Sequence, residues 1–143
     1  MVRGEPLAGS VRGVDHALKP PPDAAREALE GEGRRIVDRL RTIPLTRLAA
    51  PAQAARVFAA ALAAAAPGIE HRDAAEPPLG RALPVLVDAA TADLVAVLLH
   101  DVLAASDGVE PEAPVWTADG RRSALGDELS ALARSATELR RSW

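Results

Sequence analysis

Thr91–Ala105, TADLVAVLLHDVLAA, joins the longest run of large apolar residues in the chain to its only His-Asp dipeptide. At about 100° per residue, Val95, Leu98, Leu99 and Val102 fall in one stripe, with Asp93, Val97, His100, Asp101 and Ala104 on the other side. This is the pattern of an amphipathic helix. Thr91 is placed to serve as its N-cap, and Asp93 in the first turn suits the positive end of the helix dipole. Carried backwards, the same wheel puts Asp88 inside the apolar stripe, so a phase break is expected near Ala90–Thr91. Ala82–Ala89 then reads as a separate short helix with Pro84 in its first turn. One continuous helix from Pro84 to Ala105 is the alternative.

The composition around this stretch points the same way. Of 143 residues, 48% are hydrophobic, yet only Phe58, Trp116 and Trp143 are aromatic, so a core must be made of Ala, Leu and Val. Alanine is the best helix former, and no alternating run of β-branched residues marks a sheet. The expected class is all-α, a single-domain bundle of four to five helices over residues 23–143, preceded by an extended arm over residues 1–22 that ends in three prolines.

Three further helices are legible. Asp23 caps one running from Ala24 to Thr42, with Ala25, Leu29, Ile36, Val37, Leu40 and Ile43 inward; Gly31 and Gly33 predict a kink or a delayed start. Pro51–Ala66 forms the next, with Ala54, Val57, Phe58, Ala61, Leu62 and Ala65 inward and Pro67-Gly68 as its stop. Pro67–Gly80 is a long polar loop. In the last helix Leu125, Leu129, Leu132, Ala136, Leu139 and Trp143 step by three and four, Ser123 caps and Arg140-Arg141 complement the negative end. Between Ser106 and Ser123 the chain reads as an acidic loop anchored by Trp116. Asp119-Gly120 is a turn, with flanks too short and polar to stand as a sheet.

The absence of cysteine removes disulfides, thiolate metal sites and thiol nucleophiles. Lys19 is the one lysine beside sixteen arginines, a bias of GC-rich, bacterial-type coding. No apolar leader precedes the bundle and no run comes near the ~20 apolar residues of a membrane span, so cytoplasmic residence without a membrane partner is expected. The net charge of −3 gives no general attraction to polyanions.

Three constellations are candidates for function. His71, His100, Asp101 and Asp127 could ligate a divalent metal. In outline they resemble the H…HD…D pattern of the HD-domain metal-dependent phosphohydrolases, a resemblance that implies metal-activated water. Against this, His71 falls in a loop, and neighbouring helical residues such as His100 and Asp101 diverge by about 100°. Pro114–Ser135, with PVWT followed by LSALARSA, resembles part of the DinB-like, mycothiol-dependent metal bundles. Ala131 stands where that family has its histidine, so the likeness implies a bundle without the metal. Arg34, Arg35, Arg39 and Arg41, continuing to Arg47, form a basic patch, and a nucleic-acid interface is its least favoured use because Asp38 is interleaved and no aromatic is present to stack bases. The favoured reading is a non-catalytic helical protein, without cofactor, that binds a protein partner or a second copy through an Ala/Leu-rich helix face, with Phe58, Trp116 and Trp143 as candidate contacts. A metal-dependent hydrolase or small-ligand bundle using His71, His100 and Asp101 is the alternative, and a DNA-associated regulator using the Arg34–Arg47 patch the second.

Overall fold

The computed structural model describes residue 21 and residues 23–143, and the arm expected over 1–22 lies outside them, Pro21 apart. The described chain is mostly helical. It holds α1 (Ala24–Thr42), α2 (Ala49–Glu70), α3 (Thr91–Ser106) and α4 (Leu125–Arg141), with a hairpin of β1 (Pro114–Trp116) and β2 (Arg122–Ala124) between α3 and α4.

α1 has the limits its periodicity predicts, and Gly31 and Gly33 do not interrupt it. Gly33 is there for packing: a Cβ on it would lie 2.6 Å from Leu99 Cδ2, so the missing side chain lets α3 approach. Asp23 caps through its backbone carbonyl, which accepts the Glu27 N–H at 2.9 Å. Its side chain makes no cap bond.

α2 departs from expectation at both ends and in phase. It begins at Ala49 and passes through Pro67-Gly68 to Glu70. Pro67 has no N–H to give the Ala63 carbonyl, a local loss. Burial of Ile69 and the seating of β1 on Gly68 hold the turn nonetheless, since a Cβ on Gly68 would stand 2.2 Å from the Trp116 carbonyl oxygen. The buried face is set by Phe58, Leu62 and Ile69, with Ala52, Ala55, Ala59, Ala63 and Ala66 beside them. Val57 therefore faces outward, because a run of alanines offers too little contrast to fix a helix phase from sequence.

Val95, Leu98, Leu99 and Val102 of α3 are buried together as the stripe predicts. Thr91 is inside the helix instead of capping it, and its buried Oγ1 makes no hydrogen bond. No helix forms over Ala82–Ala89; only a 3₁₀ turn, Asp88–Ala90, precedes α3. Residues 77–87 form an irregular strap over the outer side of α2 and α3. At one end Arg81 donates to Glu70 Oε1 at 2.9 Å and to Asp101 Oδ2 at 2.8 Å. At the other, Arg56 Nη2 donates to the Leu86 carbonyl at 3.0 Å and to Asp88 Oδ1 at 2.8 Å. Prolines 77, 78 and 84 and the β-branched pair Val85 and Val87 explain why this stretch stays out of a helix.

The hairpin, too, corrects the sequence reading. β1 and β2 pair antiparallel with Val115 opposite Ser123, and Gly120 takes φ +79° in the turn. Two short strands are marginal alone. Here Val115 is buried and β1 rests on α2. Ser123 is consequently in a strand, and α4 is capped by backbone: Leu125 N–H donates to the Ala113 carbonyl at 2.9 Å and Gly126 N–H to the Pro111 carbonyl at 2.8 Å.

The helices close a ring in which α1 packs on α4 and α3, and α2 packs on α3 and α4. The pairs α1–α2 and α3–α4 lie across the diagonals and scarcely touch. Leu29, Ile36, Leu62, Val95, Val102, Leu125 and Leu129 fill the centre. By length and composition alone, Ala49–Glu70 and Asp88–Ser106 are apolar enough to cross a membrane, contrary to the expectation that no run comes near that length. The first is mostly buried in this common core and the second contributes Val95, Leu98, Leu99 and Val102 to it, and a core helix passes the same test.

Candidate functional site

The residues expected to hold a metal are dispersed. His71 is exposed at the C-cap of α2, where its N–H donates to the Pro67 carbonyl at 2.8 Å. His100 points into a groove between α1 and α3. Asp101 turns the other way, to Arg81 of the strap. Asp127 is exposed in the first turn of α4. Among the described residues no three His, Asp or Glu side chains are gathered to hold a metal ion.

The groove beside His100 encloses about 680 Å³. One wall is the α1 row Arg26, Glu30, Arg34, Asp38 and Arg41; Val37, Leu99 and Leu103 form an apolar floor. Successive signs along that wall alternate at i,i+4 or near it, so the row presents no run of one sign. Arg26 closes the end of α3, donating to Ser106 Oγ at 3.2 Å and to the Leu103 carbonyl at 3.1 Å.

The basic patch is similarly engaged. Arg34 pairs with Glu30 at 2.6 Å, Arg35 with Glu32 at 3.1 Å, and Arg41 with Asp93, far along the chain, at 3.0 Å. Arg39 lies with Trp143 along a cleft at the end of α1. Glu32 also accepts from Arg140 Nε at 2.8 Å. The Arg140 hydrogen bond, helped by Arg35, holds its carboxyl below the ordinary glutamate range. Glu128 is displaced the opposite way: burial raises it, and the negative charges of Asp119 and Asp127 add to the effect. The Thr117 hydroxyl and then Arg121 hold Asp119 below the ordinary aspartate range.

Of the aromatic residues, Phe58 is buried in the core and offers nothing to a partner. Trp116 is half-buried. Its indole N–H donates to the Ala74 carbonyl at 3.3 Å, and the Arg122 guanidinium stands 3.9 Å above its ring. Arg122 also donates to the Arg72 and Ala74 carbonyls, so this pair fastens the loop after α2 to the hairpin. Trp143 packs on the edge of the core, and its buried Nε1 makes no hydrogen bond.

The surface that sequence reasoning missed is the outer side of α2 and α3. On the strap Val85 is fully exposed, Leu79 94% and Val87 73%; next to it Val57 of α2 is 67% and Val97 of α3 58% exposed. Val57 follows Arg56, and Val97 lies one turn before Asp101, the two side chains that hold the strap. Charge is unevenly shared. Within the four helices, α1 and α4 carry most of the ionisable residues, whereas α2 has only Arg56 and Glu70 and α3 only Asp93, His100 and Asp101. The signal in the sequence was the clash of Asp88 with the helical stripe together with three prolines in eight residues, 77–84.

No known protein family, characterised protein or solved structure matches the chain.

Proposed function

We propose that this chain is a single-domain four-helix bundle that acts without catalysis, by docking the apolar side made of α2, α3 and the strap against another polypeptide. The observation that carries this reading is the exposure of Leu79, Val85 and Val87 on an extended segment, flanked by Val57 and Val97. Apolar side chains exposed together mark interaction surfaces. By contrast, among the described residues no three His, Asp or Glu side chains gather to hold a metal ion, and Asp101 is held by Arg81.

A photo-activated benzophenone side chain tests the role when placed at position 85 and, as a control, at position 34 on the charged side. The expected result is a covalent protein adduct from position 85 and none from position 34. Absence of an adduct at 85, or equal yields from both, overturns the proposal.

A further inference from the structure

We infer that the polypeptide docking on this side is a second copy of the same chain, meeting it strap to strap about a two-fold axis; the inference rests on the interaction role proposed above. Area is the first argument. Leu79, Val85, Leu86, Val87, Val57 and Val97, weighted by their exposure, present about 430 Å² of apolar side chain at roughly 100 Å² for each fully exposed Val or Leu. A standard interface takes ~800 Å² from each partner, a little over half of it non-polar, or about 450 Å². The strap and its flanks supply what a stable dimer requires.

Charge is the second argument. Arg81 is neutralised within its own chain by Glu70 and Asp101, and Arg56 by Asp88. These two arginines and three carboxylates leave a net charge of only −1 on each copy, already paired within the chain, so two copies meet with little repulsion between them. Backbone is the third. Among the described residues, 75–86 make no backbone–backbone hydrogen bond, and Val87 is extended at φ −67°, ψ 155°. Apart from Pro77, Pro78 and Pro84, which have no N–H, and the Leu86 carbonyl, which accepts from Arg56, the segment offers both donors and acceptors, and antiparallel approach about a two-fold axis matches them with those of the identical copy.

The test is the mass of the full chain in solution across a dilution series, for the wild type, Val85→Asp and Val87→Asp. The wild type is expected at the mass of two chains. Each variant alters the interface twice and is expected to weaken the dimer ~100-fold or more, with an unchanged helical circular dichroism spectrum because Val85 and Val87 are exposed. A wild type that stays at the mass of one chain throughout, or a Val85→Asp variant that dimerises like the wild type, overturns the inference. If the wild type is monomeric yet position 85 still cross-links to a different protein, the second-copy inference falls and the interaction role stands. With no adduct at all, both fall. Flotation of a monomeric wild type with phosphatidylcholine–phosphatidylglycerol vesicles, lost in Val85→Asp, assigns the face to a lipid surface and likewise overturns the inference.

Discussion

Gly68→Ala should destabilise the protein even though it improves the helix that contains it. In an open helix interior the exchange is worth about 1 kcal/mol in favour of alanine. At position 68 the added Cβ would stand 2.2 Å from the Trp116 carbonyl oxygen and 3.1 Å from its carbon. Both are main-chain atoms, so relief comes only from moving β1 off α2 by about 1 Å or from bending the last turn of α2. Overpacking of this kind costs typically 1–3 kcal/mol. Displacing β1 also strains the hydrogen bonds from Trp116 and Arg122 to the Ala74 carbonyl, each worth about 1 kcal/mol net. The balance is a loss of about 2 kcal/mol, or ~8 °C in Tm for a chain of this length. Gly31→Ala is the control. A Cβ there meets nothing nearer than Arg35 Nη1 at 4.0 Å, and a gain of about 1 kcal/mol is expected. Urea denaturation at fixed protein concentration, followed by far-ultraviolet circular dichroism and tryptophan emission, measures both. A Gly68→Ala protein as stable as wild type would refute the seating of β1 on α2.

Gly33→Ala should cost about 1 kcal/mol, because the Leu99 methyl groups at 2.6 and 3.0 Å must give way. In a Leu99→Ala background the same change should be neutral or stabilising, and additive effects in a double-mutant cycle would contradict the contact. Glu32 and Glu128 should shape the pH dependence with opposite signs. The lowered Glu32 contributes stability that is full above the ordinary glutamate range and is lost as pH falls through its folded value, so Glu32→Gln weakens the protein at pH 7 and not in acid. Because Glu128 is raised, its folded form favours the proton, and its penalty grows as pH rises through the glutamate range. Glu128→Gln should therefore stabilise at pH 7 and leave acid stability unchanged, as thermal melts across pH would show.

The parts of the fold legible in the sequence are those where large apolar residues contrast with charge. α1 and α4 alternate Leu and Ile with Arg and Glu at helical spacing, and the stripe of α3 stands out against Asp93 and His100. α2 lacks that contrast, so its periodicity predicts Val57 inward whereas burial of Phe58, Leu62 and Ile69 turns it outward. Its ending was misread because Pro67-Gly68 is a stop by local rules, while the partners that overrule it, Trp116 and the core around Ile69, are distant in sequence. The hairpin is not legible because its own strands are short and polar, and the support that β1 takes from α2 comes from far along the chain. For the candidate site the difficulty was different. Attention to His and Asp led to side chains that the fold separates, whereas the exposed surface depends on a strap held by Arg56 and Arg81 through pairings that no local pattern announces.

The ring order of the helices has a consequence for how the chain reaches its native state. α1 emerges first from the ribosome, but the helices it lies against are α3 and α4, and its sequence neighbour α2 is across the diagonal. It stays without its apolar partners until those later segments are made, and closing such long loops slows folding relative to an arrangement in which sequence neighbours pack together. A nascent chain arrested before Leu125 would leave the α4-facing side of α1 uncovered, and release of α4 would protect both helices in a single step.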